Sequence, residues 1–67
     1  MMNFSEALYM LHQKRPVMRK GWGRQKLMFD DGEFYYITPL GIDKLYDVPV
    51  RWLLATDWVT TDNIEGR

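Results

Sequence analysis

The sequence predicts an α+β domain: an N-terminal helix packed on a small antiparallel β-sheet, with a short helical turn before the last strand. Three observations carry that prediction. A helical apolar stripe follows Asn3, an Asp-Asp-Gly turn separates two extended runs, and a leucine-containing turn after Pro49 leads into Trp58-Val59-Thr60.

The elements follow in order. Asn3 is a good N-cap, and Glu6 stands where a capping-box carboxylate can reach back. Phe4, Ala7, Leu8 and Leu11 fall at i, i+3, i+4 and i+7, a single stripe that Tyr9 and Met10 broaden. Ser5, Glu6, His12 and Gln13 face water, and Pro16 ends the helix, because the residue before proline is driven out of the helical region. Val17 to Arg19 form a strand closed by a Gly21-Trp22-Gly23 turn. If that strand alternates, Arg19 and Val17 share a face opposite Met18, so either Val17 or Met18 meets solvent or an interface. Lys26–Phe29 and Glu33–Ile37 flank Asp30-Asp31-Gly32, and Asp-Gly supplies the positive-φ positions of a tight antiparallel connection. Thr38-Pro39-Leu40-Gly41 breaks the second of those strands. The stretch from Ile42 to Val50 has mixed character, with Asp43 to Tyr46 forming a helical turn or a loop. A helical turn from Val50 to Ala55 and a terminal strand at Trp58-Val59-Thr60 complete the domain.

Sixty-seven residues make one domain, taken as 1–63. A core of that size supplies no more than ~3–5 kcal/mol without a staple. There is no cysteine, which removes disulfides and Cys-based zinc, and the lone His12 cannot hold a metal alone. Three Trp, four Tyr and three Phe are a heavy aromatic load for so small an interior, so some rings are expected to meet another subunit. A homo-oligomer is therefore expected. Ile64-Glu65-Gly66-Arg67 spell the recognition site of a blood-clotting protease used to remove affinity tags, and are set aside from the fold as a cloning remnant. The amphipathic N-terminus lacks the apolar stretch of a secretory leader, and no run approaches the ~20 apolar residues of a membrane span. A cytoplasmic protein with no membrane partner is expected.

Net charge is zero, which speaks against a strong sequence-independent grip on DNA or RNA. The distribution is uneven, however. Six of the nine cations (Lys14, Arg15, Arg19, Lys20, Arg24 and Lys26) come with no acid among them, and eight of the nine acids lie from Asp30 onward. A basic edge of this kind suits a small anion, a second copy of the chain, or simply water. At its centre stands Arg19-Lys20-Gly21-Trp22-Gly23-Arg24, an indole between two glycines with cations on both sides. Stacking a base on Trp22 is worth ~1–3 kcal/mol, and burying the ring contributes about as much. Energetics alone leave both roles open. Arg19 and Arg24 have the fork geometry for phosphate, Lys20 adds charge, and Arg51 can join across a subunit boundary. Trp52 and Trp58, set among Leu53, Leu54, Ala55 and Val59, read as core or interface. Tyr35 and Tyr36 point to opposite sheet faces, and Asp57 is placed to pin the final turn. No nucleophile stands with a base, no paired carboxylates share a frame, and Gly21-Trp22-Gly23 lacks the strand–loop–helix setting of a phosphate-binding loop, so no catalysis and no cofactor is expected.

Met2-Asn3-Phe4-Ser5-Glu6-Ala7-Leu8, Arg19-Lys20-Gly21-Trp22 and Leu54-Ala55-Thr56-Asp57-Trp58, in that order, resemble the three signature blocks of a family of small phage proteins. That family was long catalogued as a domain of unknown function and includes the second Thoeris anti-defence protein. The resemblance spans Met2 to about Thr60. It implies a homotetramer that binds cyclic immune messengers (glycocyclic ADP-ribose or cyclic dinucleotides) at subunit contacts and holds them uncleaved in the host cytoplasm. Carried onto this chain, it implies a ligand site drawing on Arg19, Lys20, Gly21 and Trp22. The family's usual Trp-Asn-Gly is here Trp22-Gly23-Arg24, which replaces an amide with a nearby cation, and the middle region is shorter. Two other readings remain: a phage protein that grips a host protein through its aromatic surface, and a single-strand nucleic-acid binder, which zero net charge disfavours.

Overall fold

A computed structural model describes residues 1–61, with elements α1 (Phe4–His12), β1 (Val17–Arg19), β2 (Lys26–Asp30), β3 (Glu33–Thr38), β4 (Gly41–Leu45), α2 (Val50–Leu53) and β5 (Trp58–Thr60). Ile64–Arg67, read above as a remnant, lie outside the described residues. The expected α+β arrangement is present, and the sheet has five antiparallel strands in the order β4-β3-β2-β1-β5.

Helix α1 starts as its capping box dictates. Asn3 Oδ1 accepts the Glu6 N–H at 2.9 Å, and Glu6 Oε1 accepts the Asn3 N–H at 2.9 Å. Its end is set before Pro16 is reached. Lys14 takes the left-handed conformation (φ 66°), its N–H reaching Leu11 O at 2.9 Å while the Arg15 N–H reaches Met10 O at 3.0 Å. That pair of bonds is a Schellman termination with lysine in the position glycine favours. The stripe is narrower than the sequence suggests. Ala7 and Leu11 are buried and Phe4 and Met10 pack beside them, but Leu8 and Tyr9 are exposed. At 100° per residue, Leu8 stands about 90° round from the centre of the covered stripe, and among the described residues α1 packs mainly on one side, against β1, β2 and β5.

The β2–β3 hairpin turns on Asp31 (φ 51°) and Gly32 (φ 78°), both in the left-handed region that a two-residue type I′ connection requires. Thr38 to Gly41 end β3, as expected, and also form a second hairpin. Thr38 Oγ1 accepts the Leu40 N–H at 3.1 Å, and the chain returns as β4 alongside β3. The helical turn or loop expected over Asp43–Tyr46 is therefore corrected to an edge strand. Its first four residues are all exposed, so no inside–outside alternation was there to be read.

Cross-strand register sorts the side chains. Val17, Leu27 and Tyr36 stand in one row on the face that α1 covers, where Trp58, Trp52, Ala7 and Leu11 complete the core. Trp52 and Trp58 are core, as expected, with Trp58 fully buried and its Nε1–H donating to Trp52 O at 3.1 Å. The opposite face carries Met18, Lys26, Met28, Tyr35, Ile37 and Ile42. The expectation that Val17 or Met18 meets solvent is corrected: both are buried, and Met18 is only 6% exposed despite lying opposite the core.

Candidate functional site: a cationic groove on the second face of the sheet

The Arg19–Trp22 turn is closed by the Trp22 N–H to Arg19 O at 2.9 Å, and two sets of bonds pin it to the residue before β5. The Lys20 N–H reaches Asp57 O at 2.9 Å. The Arg19 guanidinium grips the Asp57 carboxylate in a fork, with Nε to Oδ1 at 2.8 Å and Nη2 to Oδ2 at 3.3 Å. Hydrogen bonding to Arg19 holds the Asp57 carboxyl below its ordinary value, against a smaller opposing effect of burial. Asp57 was expected to bond nearby backbone N–H groups; its carboxylate is instead held chiefly by Arg19, far away in sequence.

Trp22 is partly buried, and its ring turns toward the core. It stands edge-on to Trp52 (centroids 4.9 Å apart), Trp58 (5.5 Å) and Tyr36 (5.6 Å). The indole thus anchors its loop within one protomer. Its glycine neighbours have no such internal reason. Neither Gly21 nor Gly23 has a left-handed φ. A Cβ on Gly21 would meet nothing within 4 Å, and one on Gly23 only Gln25 Oε1 at 3.9 Å. Glycine at these positions leaves backbone open to close approach from outside.

Past Trp22 the loop crosses to the second face. Gly23 and Arg24 line a groove of about 420 Å³, together with Lys26, Met18, Ile37, Thr38, Pro39 and Thr61. That volume is within the range of small-molecule sites. Two cations border it, and Met18, Ile37 and Pro39 supply apolar surface. Such a lining can take a ligand with an anionic part and a flat or apolar part. A smaller apolar groove of about 250 Å³, sharing Ile37, continues across Met28, Tyr35 and Ile42.

Of the six residues singled out from sequence, Arg24 alone lines the cationic groove. Arg19 and Trp22 are committed to contacts on the covered side of the sheet, while Lys20, Gly21 and Arg51 are exposed and line neither groove. Lys26 and Met18 join the site through strand register, and Thr38 and Thr61 line it from the ends of β3 and β5. The parity of β2 was the available signal, since Leu27 at the core puts Lys26 on the other face.

Comparison with family models, curated proteins and solved structures gives no match. The site is therefore interpreted from its own chemistry.

Proposed function

We propose that this protein is a non-catalytic phage anti-defence protein that sequesters a cyclic or glycocyclic nucleotide messenger of bacterial immunity in the host cytoplasm. It works as a homo-oligomer, a tetramer by the resemblance of its three sequence blocks. The observation that carries the reading is the groove where Arg24 and Lys26 stand beside the apolar surface of Met18, Ile37 and Pro39. Guanidinium and ammonium groups suit phosphate oxygens, and the apolar part suits a base or ribose edge. Gly23 leaves the backbone accessible at its rim. Trp22 acts indirectly by holding the loop that delivers Arg24. Arg19 would have to release Asp57 before it could grip phosphate, so it serves as a brace.

Isothermal titration against a panel of cyclic dinucleotides and glycocyclic ADP-ribose isomers tests this. Micromolar or tighter binding is expected, with the ligand recovered intact after heat denaturation. Arg24→Gln and Lys26→Gln each remove a charge-assisted contact of about 1.5–3 kcal/mol, so affinity should fall about ten- to a hundredfold, with the melt unchanged for the exposed Arg24. No binding across the panel, or a degraded product, overturns the proposal. Capture of one host polypeptide without nucleotide affinity would favour the aromatic-surface reading instead.

A further inference from the structure

The two edges of the sheet differ. At β5 the outer edge is occupied at Trp58, whose N–H and C=O pair with Met2 O (3.1 Å) and Met2 N–H (2.8 Å). At the other edge, among the described residues, no backbone group outside the sheet bonds to β4. We infer that β4 is a self-association edge, on which a second copy of this chain adds its own β4 antiparallel about a two-fold axis centred on Ile42. This gives a surface to the self-association in the reading above and does not depend on the ligand.

The hairpin sets which backbone groups are available. A two-residue connection makes its flanking pair, Thr38 and Gly41, the hydrogen-bonded one, and the pattern then alternates. Gly41, Asp43 and Leu45 thus bond inward to β3. The N–H and C=O of Ile42 and Lys44 point outward.

Charge selects the register. A two-fold axis at Asp43 would set two carboxylates directly opposite each other, and one at Lys44 would oppose two ammonium groups; like charges so placed are destabilising. Centred on Ile42, each Asp43 faces a Gly41, which has no side chain to clash. The two Ile42 side chains, each 66% exposed in one protomer, then meet and continue the apolar row from Ile37 on both sides. Leu40, 99% exposed at the adjoining turn, falls opposite Lys44 of the second copy.

Edge strands commonly guard themselves with proline, a bulge or an outward lysine. Within β4 there is no proline, and its register with β3 is unbroken over all five residues. Lys44 is drawn back across the sheet, its ammonium pairing with Glu33 on β3 and standing 5.3 Å from the Tyr46 ring centroid. The Glu33 contact holds the Lys44 ammonium above its ordinary pKa, so it stays charged and turned inward.

Residue-resolved amide exchange on the unmodified protein tests the edge directly. As concentration rises through the assembly range, the Ile42 and Lys44 amides should slow by at least about tenfold. Those of Asp43 and Leu45, already bonded to β3, serve as references and should change little. Ile42→Pro removes the outward donor without removing a bond to β3, so by light scattering its assembly mass should halve while the melt holds. Unprotected Ile42 and Lys44 amides in an assembled protein would overturn the edge and leave self-association standing. A monomer at every concentration would overturn both, with nucleotide titration still deciding the ligand reading. Should Ile42→Pro fail to fold, the exchange pattern of the unmodified chain decides.

Discussion

Replacing Trp22 with alanine separates an anchoring ring from a ligand platform. In the protomer the indole has edge contacts with Trp52, Trp58 and Tyr36 at centroid distances of 4.9, 5.5 and 5.6 Å. Aromatic pairs of this kind contribute about 0.5–1.5 kcal/mol each beyond their buried area. Removing a fully buried Trp or Phe side chain costs about 3–5 kcal/mol. Trp22 is only partly buried, so about 2–3 kcal/mol is the expected loss on that scale. For a domain of this size each kcal/mol moves the midpoint by about 4–8 °C, which places the Trp22→Ala melt about 10–20 °C below the parent. Trp22→Phe keeps a ring against the cluster and should lose about half as much. Thermal circular dichroism at 222 nm, with near-ultraviolet spectra reporting the packed rings, measures the difference. A Trp22→Ala protein that melts within about 2 °C of the parent, yet no longer binds nucleotide, would refute the anchoring argument and return the ring to the ligand.

Two further substitutions test the local physics. Lys14→Gly relieves a left-handed residue at the end of α1 and sacrifices only an exposed ion pair to Asp30 at 3.0 Å. A net gain of about 0.5–1 kcal/mol is expected, visible as a higher urea midpoint at unchanged slope; a lower midpoint would contradict the Schellman assignment. Asp57→Asn breaks the fork to Arg19. Because the folded carboxyl titrates below the unfolded one, near 3.9, its contribution is fully present above that pH and disappears as pH falls through the lower folded value. The variant should be about 1 kcal/mol less stable at neutral pH, and the gap to the parent should close in acid. Parallel pH profiles from 6 to 3 would count against the fork.

Local signals in the chain were legible where one residue's chemistry dictates one geometry. Asn3 with Glu6 places the start of α1, Asp31-Gly32 places the first hairpin, and the run Trp58-Val59-Thr60 places β5. Strand β4 escaped because it is an exposed edge. Its neighbour β3 supports it through backbone bonds, and those leave no hydrophobic pattern behind. The candidate site was legible only at Arg24. Glycines beside Trp22 suggested a displayed ring, but where an indole points depends on partners at Tyr36, Trp52 and Trp58, which no local window contains. The same holds for Arg19: its acid partner lies at Asp57, and only the fold reveals that this arginine is already engaged. Arg24 and Lys26 were visible as charge, and their convergence with Thr61 needed the sheet order.

The fully buried Trp58 is far from Met2 in sequence, yet its strand lies beside β1 and its backbone closes on Met2. A nascent polypeptide therefore cannot finish its interior until Trp58 has emerged from the ribosome. Until then Phe4, Trp22 and Trp52 lack their shared ring partner. Maturation is expected as one concerted event that waits for Trp58, slowed by the long sequence separation of its decisive contacts.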